Sequence, residues 1–553
     1  MQTVSGFPMQ PQLDPSLYYL CNFHKALAWL RERHHDLLLA DEQTFLHCFG
    51  ELALPSQALL VRMIMRKGVH FRASKLAYAE IGCPRHAAQA LLDAGWIRHD
   101  TELALAELFD LLRKEELLEA FAARAHKALK KPELLAQLAA EHSESRSFTA
   151  WCPGLDEQVY SLAIDPLCER LRLMFFGNLQ QDWTEFVLAE LGIFRYEPVA
   201  LSAASRVFRR REEVDCYLAL QRCRERGEAG EPIAAVLQEI AVLDCTTPFL
   251  AMRRAKLLFR LGQHLERAGE LDNALTCYAD CPFAGARLRR IRVLERLGRA
   301  GEAHALASQA VAAPENQAEA QGVERVLRRL DRQLGLAQPP KPKAPAPARL
   351  DLCLPRPAAH SVEYAVKLHL SEPDAPVHYV ENSLICSLFG LLCWPAIFAP
   401  LPGAFFHPFQ SGPLDLLGAD FQARRADLFG ACLAQLDSDT YKHSIRQTYA
   451  DKHGIQSPFV FWAMLDQALL EQALDCLPAA HLRAWFQRLL GDIRANRAGM
   501  PDLIQFWPAQ QRYRMIEVKG PGDRLQDNQR RWLAFCAEHG MPVDVCYVQW
   551  AAA

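Results

Sequence analysis

The chain has 553 residues, 50% apolar and 23% charged, with a formal net charge of −3. This is too long for one hydrophobic core and implies roughly three or four domains. The near-neutral balance excludes a protein that coats nucleic acid by bulk charge, so any phosphate contact has to come from local basic patches. No apolar run reaches the roughly 18 residues that span a bilayer.

The opening stretch "MQTVSGFPMQPQLDP" lacks the basic-then-apolar pattern of a secretory signal. The 17 cysteines are scattered and nowhere form Cys-x-x-Cys. Free thiols in a reducing, cytoplasmic setting are expected, without a structural zinc site of the common kind. Residues 1 to about 335 are rich in Ala, Leu, Glu and Arg at helical spacing, which predicts an all-α region. Residues 1–54 form its first part. Residues 55–145 contain "LVRMIMRKGVHFRASKLAYAEIGCPRHAAQALLDAGWIRHD", a small helical or winged module. They continue into a SAP-like helix–loop–helix whose Lys127, Lys130 and Lys131 precede "PELLAQLAAE". Pro132 suits the first turn of that second helix, and lysines at a helix start can meet DNA phosphates together with backbone N–H groups. A solvated charged face on a structural helix pair is the alternative.

Residues 146–336 hold two similar units, "LFRLGQHLERAGELDNALTCYADC" and "RLRRIRVLERLGRAGEAHALASQA". Gly269 aligns with Gly298 and Ala274 with Ala303, a helix–turn–helix repeat that resembles tetratricopeptide repeats. An ordinary pair of helical hairpins would look much the same. The proline-dense stretch 337–360 predicts an extended linker. Residues 361–553 then read as an α/β domain. "SVEYAVKL" and "VHYV" are its short extended pieces, followed by an apolar helix, mixed helices, a hairpin, another helix and a last strand, "VDVCYV".

The hairpin raises a chemical question. "DLIQFW" and "RYRMIEVK" alternate like strands around the connection "PAQQ". If Trp507 pairs with Arg512, Asp502 stands opposite Glu517. Side chains at such positions lie roughly 5 Å apart, and two carboxylates there repel. A divalent cation between them reverses the sign, because Mg²⁺ and Mn²⁺ prefer hard carboxylate oxygens. Lys519 points to the same side, where it can orient a water or balance charge on a phosphate. In the next helix, Asp523 is the expected N-cap with Gln526 completing the box. Gln529 falls on its apolar stripe, either reaching the metal water or substrate, or bonded to backbone as a core glutamine. Upstream, Glu381 in "VENSLICSLFGLLCW" is placed on the inward face of the apolar helix. A metal at the hairpin would compensate its burial, or its carboxylate simply meets the helix dipole.

"PD", fourteen residues, "EVK" and then "GPGDRLQDNQRRWL" resemble the VRR-NUC branch of the PD-(D/E)xK nucleases. With "VENSLICSLFGLL", the repeat-bearing middle and the SAP-like part, the chain is similar to the Fanconi-associated nucleases. The resemblance implies Asp502, Glu517 and Lys519 as the catalytic core, Glu381 as a further metal ligand and Gln529 as an assisting residue. One or two Mg²⁺ or Mn²⁺ ions would be held by Glu381, Asp502, Glu517 and the Val518 carbonyl. It implies cleavage of branched DNA, as a 5′-flap endonuclease and 5′→3′ exonuclease in interstrand crosslink repair. Larger members begin with a ubiquitin-binding zinc finger. No Cys/His cluster for one occurs here, which points to a compact bacterial-type member.

DNA-facing candidates are the basic runs with Arg206, Arg209, Arg210 and Arg211, and with Arg287, Arg289, Arg290, Arg292 and Arg296. His443, Arg446, Lys452 and His453 in the nuclease domain could also reach the backbone. The competing functions are a nuclease acting on RNA or simple duplex ends, and a helical-repeat adaptor with an inert nuclease domain.

Overall fold

The structure, a computed structural model, describes residues 17–121, 128–202, 205–337, 347–356 and 360–551. Contacts divide the chain into two bodies, residues 1–194 with 200–214, and residues 195–199 with 215–553.

The first body is helical, with five short strands: β1 (His70–Arg72), β2 (Ile97–His99), β3 (Glu102–Leu103), β4 (Arg146–Ser147) and β5 (Val159–Leu162). β5 is the centre of a three-stranded antiparallel sheet flanked by β1 and β2. The module around residues 55–98 is therefore winged. The expected boundary at 145/146 is not one. β4 pairs with β3, and Phe148 and Trp151 share a core with Leu108, Leu117, Leu134 and Leu138. A helical pattern shows where helices run, but gives no sign that a wing needs a strand from 60 residues or more downstream. Lys130 is the N-cap residue and Pro132 lies in the first turn of the helix Lys131–Ala139, as expected.

The second body contains stacked helix hairpins, Pro248–Ala268 with Leu271–Ala279 and Ala286–Arg296 with Ala300–Ala312, followed by Gln317–Gln333. Gly269 and Gly298 both turn the chain at positive φ, +85° and +74°. Ala274 and Ala303, at the same step in the second helix of each hairpin, are completely buried. The repeat alignment thus marks equivalent positions.

The sheet of this body has five strands, β6 (Ala348–Leu354), β7 (Val377–Tyr379), β8 (Leu503–Trp507), β9 (Arg512–Lys519) and β10 (Val543–Trp550), in the order β6-β10-β9-β8-β7. β8 and β9 form the expected hairpin, with Trp507 opposite Arg512 and Leu503 opposite Ile516. β9 and β10 are parallel, joined through the helix Asp527–Glu538. Two expectations fail. The proline-rich stretch is not linker throughout, because Ala348–Leu354 pairs along its whole length with β10. It is an edge strand in which Leu350, Leu352 and Leu354 alternate with exposed Arg349, Asp351 and Cys353, a local pattern that the surrounding prolines obscure. "SVEYAVKL" is not extended: Val362–Leu370 is a helix, with the Ser361 hydroxyl accepting from the Tyr364 N–H. The helix covers one sheet face, placing Val366 with Leu503, Ile516 and Val518. The opposite face buries Ile504, Phe506, Tyr513 and Met515. Every residue of the apolar helix Leu384–Leu392 is buried, and Leu384 and Ile385 line one small cavity with Ile504 and Met515.

Among the described residues no helix is long and apolar enough to cross a membrane, and all 17 cysteines are free thiols.

Candidate active site

Strand alternation sorts the hairpin side chains. Leu503, Ile516 and Val518 face the helix Val362–Leu370, so Glu517 and Lys519 face the other way. Asp502 stands one residue before β8, which brings it opposite Glu517 when the register is continued. The apolar layer of Ile504, Phe506, Tyr513 and Met515 ends here and charge takes over, as expected. Glu517 is 0% exposed, and Asp502 and Lys519 are each 7% exposed.

The geometry is specific. The Val518 N–H donates to Asp502 Oδ2 at 2.8 Å, fixing that carboxylate. Lys519 Nζ lies 2.8 Å from Glu517 Oε1. Glu517 Oε2 is buried with no hydrogen-bond partner. Burial drives the Glu517 carboxyl well above the usual carboxylate range, the Asp502 charge raises it further, and Lys519 opposes both. Burial also raises Asp502, the Val518 N–H works against it, and Glu381 adds to the rise. One ammonium does not neutralise two buried acids. The oxygen-only donor set, with one buried oxygen left over, fits a small hard divalent cation.

Glu381 is placed differently from expectation. It is exposed and lies in a turn ahead of the helix Leu384–Leu392, not on its buried face. The apolar steps from Leu384 onward are real, but the helix begins only after Ser383. Both hairpin acids still feel its charge. Its carboxylate accepts from the Tyr379 hydroxyl at Oε2 and from Asn382 Nδ2 at Oε1, 3.2 Å. Among the described residues no three His, Cys, Asp or Glu side chains already form a metal cage. Gln529 takes one of its two expected places, on a helix that begins later than expected. The helix starts at Asp527, later than the expected cap at Asp523, and Gln529 Oε1 accepts the Gln526 N–H at 2.8 Å. Its carbonyl is thus spent on the helix cap, the backbone-bonded alternative. Asp523 instead accepts from the Gly520 N–H. Tyr379 and Asn382 were not singled out from the sequence. Strand alternation alone would have put Tyr379 on the side of Glu381.

Most basic candidates have structural duties. Arg206 binds Asp36 at 2.6 Å and the Arg33 carbonyl at 2.8 Å. Arg211 binds Glu42 at 2.8 Å, Arg287 binds Glu319 at 2.8 Å, and Arg290 donates to the Ala279 carbonyl at 3.2 Å. Arg210 lies 3.4 Å from Glu213. Arg209 and Lys130 are exposed, Lys131 is half-buried, and Lys127 lies outside the described residues. Arg446 pairs with Glu471 and Lys452 with Glu197. Helices set such arginines against acids from distant segments, which a run of like charges in the sequence does not reveal.

The less compensated cations are elsewhere in the second body. Desolvation and the guanidinium groups of Arg260, Arg494, Arg253 and Arg224 hold the Lys256 ammonium below its ordinary range. A separate groove is lined by Arg292, Arg325 and Arg531, together with Gly322, Asn528 and Asp527, whose carboxylate pairs with Arg325. Burial and nearby Arg289, Arg325 and Arg329 likewise lower Arg292. These residues are dispersed in sequence, so only Arg292 fell within a recognised basic run.

Comparison with known proteins agrees with this organisation. Residues 437–550 match the VRR-NUC domain, residues 17–98 the FAN1 HTH domain, and residues 102–151 the Fanconi anemia-associated nuclease SAP domain. The Fanconi-associated nuclease 1 homolog of Pseudomonas aeruginosa is 57% identical, over 98% of this chain and 97% of that protein. The Arabidopsis thaliana homolog is 25% identical over 98% of this chain and 68% of its own length, and the human protein 26% over 96% and 62%. A crystal structure of paFAN1 bound to 2nt 5′ flap DNA with gap superposes with a TM-score of 0.94 at 56% identity, covering 99% of this chain and all of that one. Another, with a 1nt 5′ flap, gives 0.92 at 57%, covering 98% of this chain and all of that one. With its helical N-terminal part, its buried acid pair beside a lysine and this near full-length similarity, the chain belongs to the Fanconi-associated nuclease family and is a bacterial-type DNA nuclease.

Proposed function

We propose that the chain is a metal-dependent, structure-selective nuclease that hydrolyses phosphodiester bonds in branched DNA, as a 5′-flap endonuclease and 5′→3′ exonuclease serving interstrand crosslink repair. The observation that carries this reading is the under-neutralised pair Asp502 and Glu517, one with an orphaned buried oxygen, next to Lys519. The relatives crystallised with 5′-flap DNA support the substrate class.

Asp502, Glu517 and the Val518 carbonyl would hold one or two Mg²⁺ or Mn²⁺ ions, with Glu381 closing the set. A cation bound there supplies Lewis acidity to the scissile phosphate and a lower pKa to a bound water. Asp502 is already oriented by the Val518 amide, so its ligand oxygen needs no search. Lys519 holds its ammonium against Glu517 and is placed to turn toward the attacking water and the phosphate oxygens once the acids are neutralised. The Lys256 cluster supplies backbone contacts at a surface where Lys256 is crowded by Arg260, Arg494 and Arg253. Free thiols throughout are consistent with a cytoplasmic site of action.

The test is a labelled 5′-flap duplex incubated with and without Mn²⁺, beside nicked, single-stranded and RNA versions. Cleavage should require Mn²⁺, favour the DNA flap and vanish in Lys519→Ala. Cleavage without a metal, or RNA cut as readily as the flap, would overturn the reading.

A further inference from the structure

We propose that Tyr379 and Asn382 are positioning residues that hold the Glu381 carboxylate in register with Asp502, so that a third acid reaches the metal site although it is exposed and outside the buried pair. The inference rests on the metal-dependent reading above.

The connections are explicit. Glu381 lies in a turn between β7 and the helix Leu384–Leu392, where an exposed glutamate normally samples several rotamers. Here both of its oxygens are engaged, Oε2 by the Tyr379 hydroxyl and Oε1 by Asn382 Nδ2. A carboxylate has about four acceptor positions, so each oxygen keeps capacity for an ion while the group is fixed in direction.

The same turn is tied to the other acid. The Val380 N–H donates to the Asp502 carbonyl at 2.9 Å. The Met500 N–H donates to Asn382 Oδ1 at 3.1 Å. Asn382 therefore grips the Glu381 carboxylate with its amide nitrogen and the strand leading into Asp502 with its amide oxygen. Its backbone sits at φ 54°, a left-handed conformation that asparagine tolerates and most residues do not. Glycine would keep that backbone and lose both bonds. Aspartate would keep the acceptor for Met500 and set a second negative charge against Glu381.

The experiment is calorimetric titration of the full-length chain with Mn²⁺ in the absence of DNA, followed by cleavage rates as a function of Mn²⁺ concentration. Asn382→Gly, Asn382→Asp, Tyr379→Phe and Glu381→Ala are compared with the parent, each checked for an unchanged circular dichroism spectrum. Outer partners of metal ligands typically carry about 10–100-fold in affinity. Asn382→Gly should lose about that much for the Glu381-dependent ion, Asn382→Asp more, and Tyr379→Phe about tenfold. Raising Mn²⁺ should restore kcat in Asn382→Gly, a recovery that a general packing defect would not give. Parent-like Mn²⁺ binding in Asn382→Gly and Tyr379→Phe, while Glu381→Ala is weakened, overturns the positioning role and leaves the metal reading intact. Parent-like binding in Glu381→Ala as well removes Glu381 from the ion site and takes this proposal with it.

Discussion

Among the described residues two glutamates are completely buried, and the fold treats them in opposite ways. Glu42, in the first body, accepts from Arg170 at 2.5 Å, from Arg211 at 2.8 and 3.0 Å and from the Leu39 N–H at 2.9 Å. Glu517, in the second, has one lysine, faces Asp502 and leaves an oxygen without a partner. A buried charge kept for architecture is surrounded by opposite charge and donors. One left short of both carries a standing electrostatic cost that a bound cation or a captured proton removes. That contrast, more than burial itself, separates a structural carboxylate from a catalytic one.

The comparison can be broken most sharply by exchanging each acid for its amide. Glu517→Gln should lower flap cleavage at least about 1000-fold, the kinetic equivalent of several kcal/mol of lost metal assistance. In metal-free buffer at neutral pH its thermal midpoint should be no lower than the parent's, because an amide needs neither a cation nor a proton to be buried there. Glu42→Gln should do the reverse. Arg170 keeps Asp41 and Arg211 keeps the Leu37 carbonyl, so the loss of the shared carboxylate charge should cost about 1–3 kcal/mol in urea unfolding of the first body while the hairpin chemistry is untouched. A Glu517→Gln protein that cleaves normally, or a Glu42→Gln protein as stable as the parent, would dissolve the distinction.

A second prediction sharpens it within the first body. Burial and the guanidinium groups of Arg206 and Arg33 depress His34 to about 4. The unfolded chain therefore takes up the proton first as pH falls. Stability contributed by neutral His34 is complete above the ordinary histidine value and is lost between about pH 6.5 and 4, by up to about 3 kcal/mol. Urea midpoints across that range should show the loss, and His34→Phe should flatten it. A pH-independent difference between the two proteins would refute the assignment.

The smallest effect concerns compensated and uncompensated arginines and lysines. Lys256→Ala should weaken flap binding and reduce the salt dependence of affinity by about one phosphate contact. Arg206→Ala, removed from its pair with Asp36, should lower stability and leave the salt slope unchanged. An Arg206 effect on the slope equal to that of Lys256 would erase the difference.

Much of the site was legible before any coordinates. Strand alternation and a four-residue connection are local, so the pairing of Trp507 with Arg512 and the approach of Asp502 to Glu517 follow from residues within one hairpin. The repeat glycines were legible for a related reason, since a left-handed turn requires a particular residue type at one position. Glu381 was found as a candidate but set in the wrong local structure. Its apolar neighbours carry the helical period, and nothing local announced that the helix begins at Leu384. Gln529 carries two readings in the sequence because capping and ligation both call for a polar side chain at a helix start, and its carbonyl takes the capping one.

The sequence by itself determined the chemistry available, two acids and a lysine on one face of a hairpin, and the family to which the chain belongs. Tertiary structure alone decided which charges are silenced. Whether Arg206 faces an acid, whether Ala348–Leu354 is linker or edge strand, and whether Asn382 is tied to the strand leading into Asp502 all depend on partners far away in sequence. Electrostatics and hydrogen bonding act over a few ångströms of space, and separation along the chain does not measure that distance.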